Sequence, residues 1–265
     1  MRIPKWLLLF SVFFFVVSGT VRYHAWIASR SDYIENLSLM GGHLTIGKEL
    51  IEQKTPIPAA IHFGHPVKEH WQSVKRFIGE KKVRLKLSSE NKDEILGEIE
   101  IICRQDVNWN RKVKFKDAFD CLEDLAKSRP NSLAFDQLYD AIDQRLRKLL
   151  RVRLPSKVVL EGVDRVLKMA SEEYQASITE DDRQEGDNKN IVINSIEYQD
   201  ARGFIVYVSD LFEDQLRDYN FTDLIQKISL QYSLNQSQSV DGFNDVNDFL
   251  TSTLESIKGK LELSN

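Results

Sequence analysis

The sequence predicts an α+β fold: an N-terminal membrane helix or signal, then hairpin-plus-helix units around a central set of three amphipathic helices. Three observations carry this. Short runs alternate apolar and polar residues near 82–101, 191–208 and 228–234. Residues 114–177 hold three apolar stripes at helical spacing. The chain begins with two cations and then a long uncharged run.

That run is Trp6–Val21, behind Arg2 and Lys5. Its 16 residues would span about 24 Å as a helix, against a hydrocarbon core of roughly 30 Å. Tyr23, Trp26, Ile27 and Ala28 extend it, and Arg22 can reach back to an interface. Residues 1–28 therefore read as a signal-anchor, or as a signal peptide cut near Val17-Ser18-Gly19. The cations in front of the run keep the N-terminus in the cytoplasm and send the body out of it, periplasmic or extracellular. The body is secreted if the signal is cleaved.

Residues 29–65 show little periodicity and contain Gly41-Gly42, Pro56 and Pro58, so they read as a stalk or linker with one short helix near 45–54. Pro66 then opens a helix with Val67, Trp71, Val74, Phe77 and Ile78 on one face, closed by Gly79. Val83, Leu85 and Leu87 alternate with lysines and arginine, and Ile95, Ile99 and Ile101 with glutamates. The pair reads as a hairpin with one basic and one acidic outer face, paired across the strands.

In the helical region, Phe115, Phe119, Leu122 and Ala126 make the first stripe, ending before Pro130. Phe135, Leu138, Ile142, Leu146 and Leu149 make the second, and Val159, Val163, Val166, Leu167, Ala170 and Tyr174 the third, with Ser156 as cap. Residues 66–177 thus form one basic region. The acidic stretch from 178 to 190 reads as a solvated loop or boundary. Residues 191–265 form an acidic α+β region, packed with 66–177 as one domain or standing apart. It comprises a strand pair at 191–198 and 204–208, a strand at 228–234, and a final helix carrying Val246, Phe249, Leu250, Leu254 and Ile257.

The net charge of −4 is unevenly spread: +2 over residues 1–65, +6 over 66–157 and −12 over 158–265. An acidic C-terminal third is unlike the distributed basic surface of a nucleic-acid binder, so nucleic acid is excluded as a partner. Nucleophile elbows, phosphate loops and dinucleotide fingerprints are all missing from the sequence.

Four groups of residues remain. Cys103 and Cys121, in an exported body, can pair; the bond would close an 18-residue loop worth about 3 kcal/mol, and the alternative is two buried thiols. His62, His65 and His70 fall within nine residues, and one reading of them is a metal cluster. A helix beginning at Pro66 would leave the first two in a loop and put His70 on the apolar face, so capping and core packing compete with the metal reading. Arg145, Arg147, Lys148, Arg151, Arg153 and Lys157 crowd the end of the second helix of the helical region, where they complement its dipole or offer an anionic surface or acidic protein partner a docking patch. Residues 6–28 supply the membrane partner. The functional expectation is a membrane-anchored or secreted interaction or assembly protein without catalysis and without cofactor, with a protein partner. The alternatives are an extracytoplasmic hydrolase, or a small-ligand or metal-binding protein using the His62–His70 segment.

Overall fold

A 48-residue helix, α1 (Lys5–Glu52), enters the core at Ile27 and runs through the centre of the bundle from there. This computed structural model describes residues 5–78, 81–88, 90–103, 106–110, 112–151, 154–180, 190–192, 194–217, 239–240 and 243–263, with only the backbone described for 5–22 and a few later positions. From residue 37 to 44 every side of α1 is buried. A helix covered on all sides has no polar stripe, and so no 3.6-residue period for a sequence reading to find. The stretch expected as a stalk, 29–65, is therefore helical core.

α1 ends with Lys54 in the left-handed region (φ 62°), where Thr55 N–H donates to Leu50 O at 2.9 Å. That is a six-to-one closure of a helix end. The chain reverses into α2 (Pro56–His65), which has proline in its first turn and continues through a π turn (Pro66–His70) into α3 (Trp71–Ile78). Pro66 does not start a helix, as the sequence reading expected. Lacking an N–H, it sits inside one, and the widened turn accommodates it.

The rest is α4 (Lys92–Ile102), α5 (Phe115–Ser128), α6 (Leu133–Leu150), α7 (Ser156–Ala176), α8 (Ser195–Leu211), α9 (Glu213–Leu216) and α10 (Phe243–Leu263). Among the described residues strands are few and short. β1 (Lys82–Arg84) pairs antiparallel with β2 (Lys112–Lys114), and β3 (Ile178–Glu180), β4 (Asn190–Val192) and β5 (Ser239–Val240) make a second ladder. The α+β expectation is thus overturned: the fold is a helical bundle with two small ladders.

Two predicted strand regions account for most of that correction. Residues 95–101 lie in α4, where Asp93 and Glu94 complement the helix N-terminus, and Ile95, Leu96 and Ile99 are buried while Ile101 is 74% exposed. The predicted pair 191–198 and 204–208 is mostly α8. Asn194 caps it, its side chain accepting from Ile196 and Glu197 N–H at 3.2 and 3.4 Å. Its β-branched, aromatic run mimics a strand because nearly the whole helix is buried. The strand expected at 228–234 lies outside the described residues. The three expected amphipathic helices are present as α5, α6 and α7, and the final helix as α10.

α1 packs against α2, α6, α7 and α8. Its crossing with α8 is unusually close, because Gly42 meets Gly203: a Cβ on Gly203 would stand 2.5 Å from Gly42 O, and one on Gly42 2.8 Å from Phe204 N. Arg202 clamps the same crossing by a two-point contact to Glu49 (2.8 and 3.1 Å). Lys48 reaches Asp136 of α6 at 2.6 Å, and Tyr33 Oη donates to Leu149 O at 3.1 Å, so α6 runs antiparallel to α1. Cys103 follows α4 and Cys121 lies in α5; their Cα atoms are 5.0 Å apart and their sulfurs lie at bonding distance.

Candidate functional site

The glycine crossing brings His43 of α1, next to Gly42, against Asp200 of α8, three residues before Gly203. α2 adds His62 and His65, one helical turn apart on one face, and the π turn adds Glu69 and His70. His43 Nδ1 and His62 Nδ1 both stand 2.7 Å from Asp200 Oδ1. His65 Nδ1 is 3.3 Å from Asp200 Oδ2 but off the line a hydrogen bond needs, and it is buried with no hydrogen-bond partner. One potential ligand atom from each of His43, His62, His65 and Asp200 lies within 4.8 Å of the others.

Behind these atoms lies a supporting layer. His62 Nε2 is 2.9 Å from Gln199 Oε1, and His43 Nε2 is 3.2 Å from His70 Nε2 and 3.6 Å from Glu69 Oε2. Such partners fix ring orientation and tautomer. Burial alone would lower the pKa of His43. The Asp200 carboxylate, helped by Glu69, overrides burial and holds it up to about 9. Burial and the neighbouring His43 charge push His70 down to about 3. His43 is thus an imidazolium at neutral pH: Nδ1–H donates to Asp200, and Nε2–H donates to the neutral His70. Burial would raise Asp200, but the His43 charge and the imidazole hydrogen bonds hold it well below the usual carboxylate range. Glu69 is also lowered, against its own burial, by His43, His65 and His70.

The cluster is closed on the bundle side and open on one other. The side chains of His43, His62 and Asp200 are 1%, 0% and 6% exposed, whereas Glu69 is 48% exposed. Glu69, and His65 at 17%, are the more exposed members of the group.

Of the three histidines singled out from sequence, His62 and His65 enter the inner set, while His70 stands behind His43 with Glu69. Sequence reasoning missed His43 and Asp200, which lie in the segments read as a stalk and as an interstrand turn. The signal that was present is the His62–His65 spacing, legible as one helix face once the helix begins at Pro56.

The basic group divides. Arg145 and Lys148 line a surface cleft, and Arg147 is paired with Asp143 at 2.7 Å and with Asp210. Arg151 borders a separate hollow beside α9, Lys157 lies in the first turn of α7, and Arg153 lies outside the described residues.

Asp200 also falls within the stretch that resembles a known domain. Residues 151–236 match the iron permease-associated 4-helix bundle domain. The match spans 86 of the 265 residues, covering α7, α8 and α9 with Gln199 and Asp200, and stops short of the histidines at 43–70. Searches of curated proteins and of solved structures return no match.

Proposed function

We propose that this chain captures a first-row transition-metal ion, iron before others, at His43, His62, His65 and Asp200, and that it serves metal uptake from outside the cytoplasm without catalysing a reaction. The observation that carries this reading is the buried His65 Nδ1, without a hydrogen bond yet 3.3 Å from a carboxylate that two further imidazoles already face. Three imidazoles and one carboxylate suit borderline divalent ions such as Fe²⁺ or Zn²⁺ better than the all-oxygen preferences of Mg²⁺ or Ca²⁺. The domain match at residues 151–236 favours iron among them.

In the metal-free protein the His43 proton supplies the positive charge that offsets buried Asp200. A bound cation would take over that role as the proton leaves Nδ1. His43 would then keep Nε2–H on His70, and His62 would keep Nε2 against Gln199, so both rings are already turned for coordination through Nδ1. Exposed Glu69 stands at the mouth as the first carboxylate an incoming cation meets.

Trp6–Val21 anchors the chain in this reading, with the bundle outside the cytoplasm and a permease-type membrane protein as its partner. Among the residues with described side chains, no helix is long and apolar enough to cross a membrane; the Trp6–Val21 side chains fall outside that set, although their backbone continues α1. A reporter fused after Asn265 that is active only in the cytoplasm would overturn the topology.

The metal reading is tested on the full chain in neutral detergent, stripped with chelator and titrated anaerobically with Fe²⁺, and separately with Zn²⁺ and Mn²⁺. One tightly held ion per chain, lost in a His62→Ala/His65→Ala variant that keeps its helical circular dichroism, is expected. Absence of a stoichiometric ion, or binding indifferent to that double substitution, would overturn it.

A further inference from the structure

The β1–β2 ladder sets like charges directly opposite one another. Lys82 faces Lys114 and Arg84 faces Lys112, while Val83 and Val113 turn inward to the core. The acidic strand that the sequence offered to neutralise the Lys82–Lys86 face is α4 instead, so the lysines lose that partner. Like charges across a two-stranded pair destabilise it, and in a ladder only three residues long there is little else to compensate.

The same cations border a cavity of about 500 Å³. Lys81, Lys82, Arg84 and Lys86 come from the β1 segment, Lys112 from β2, and Arg145 and Lys148 from α6; Ala141 and Gln144 complete the lining, which among the described residues holds no carboxylate. Asp140 borders a separate, smaller hollow that shares Lys86, Ala141 and Gln144 with the cleft. Arg145 Nε is buried without a hydrogen-bond partner, and its charge acts on the Tyr33 hydroxyl at the α1–α6 contact. Seven cations thus converge on a space of small-molecule size.

We infer that this cleft binds a compact polyanion carrying two or more phosphate or carboxylate groups. The site is separate from the histidine cluster and does not depend on the metal reading. A membrane surface is the less suitable occupant. Tyr33 of α1 bonds to Leu149 at the Lys148 end of α6, and it lies 12 residues beyond Val21, about 18 Å along the helix. Should the span end at Val21, the cleft would stand about 18 Å beyond the hydrocarbon edge, more than one screening length above the headgroups at physiological salt; should it run on to Ala28 the separation falls to about 8 Å, and the doped-micelle arm of the test reads that case.

The test uses the full chain in neutral detergent, with inorganic pyrophosphate and citrate as probes and micelles doped with phosphatidylglycerol as the competing source. Either probe should raise the melting temperature and bind in calorimetry, with affinity falling as salt rises. Arg84→Gln/Lys112→Gln should weaken the probe about tenfold. Without probe, at low salt, the same variant should melt at or above the wild-type temperature, because it removes a like-charge pair. A structural role for these cations would instead lower melting with no change in probe affinity. A variant that unfolds would transfer the test to Arg145→Gln, which leaves the ladder intact. Probe binding unaffected by both variants, or cleft-dependent binding of doped micelles with no binding of either probe, would overturn the inference.

Discussion

Replacing Asp200 by Asn keeps the shape of the side chain and removes its charge, which isolates the electrostatic part of the site. In the metal-free wild type, His43 is held at about 9 against an ordinary value of 6.5. A histidine whose folded-state pKa is raised stabilises the fold fully below the unfolded value, and the gain is lost as pH rises through the folded value. At pH 7 the ring sits about two units below its folded pKa, and at 1.36 kcal/mol per unit the charged pair contributes about 2–3 kcal/mol. With Asn at position 200 only burial and Glu69 act on His43, the ring is neutral, and that contribution is gone. Asp200→Asn should therefore unfold about 2–3 kcal/mol more easily at pH 7, a melting shift of roughly 5–10 °C for a chain of this size. The gap should close between pH 8 and pH 10 as wild-type His43 deprotonates. Urea melts followed by circular dichroism in chelator, at pH 7 and pH 10, measure both. A gap of equal size at the two pH values would refute the reasoning, since it would make the loss a packing defect and not a lost ion pair.

Gly203→Ala should destabilise by at least about 2 kcal/mol, because the new methyl meets the Gly42 carbonyl and cannot be relieved by a rotamer change; a chemical melt within 0.5 kcal/mol of wild type would show that the α1–α8 crossing opens freely. His70→Gln keeps an acceptor for His43 but cannot titrate. Its stability should be flatter than wild type between pH 6.5 and pH 4, where the unfolded chain alone would protonate His70 held at about 3, and parallel curves would contradict that assignment. The pairing of Cys103 with Cys121 is checked by peptide mass under non-reducing conditions; Cys103→Ser should cost about 3 kcal/mol for an 18-residue loop, and two freely alkylated thiols in exported protein would end the claim.

Helices with one wet face were written in the sequence. α5, α6 and α7 bury Phe119, Leu138 and Val163 along with their stripe neighbours and expose the charges between them, so a local period was enough to place them. The apolar start of the chain and the cysteine spacing were also local facts. The buried helices were not legible in this way. α1 and α8 are surrounded on most sides, which removes the polar face that marks a helix and leaves glycines, β-branched residues and aromatics that read as linker or strand. Ile95–Ile101 misleads for another reason: the exposed Ile101 completes an alternation with Ile99 that burial does not follow. The site depends on those two helices. His62 and His65 were visible as neighbours, but His43 and Asp200 are 157 residues apart, and nothing local joins them. They meet because Gly42 and Gly203 let two backbones approach closely enough for an imidazole and a carboxylate to touch, and a contact set by backbone distance between remote segments belongs to the tertiary structure alone.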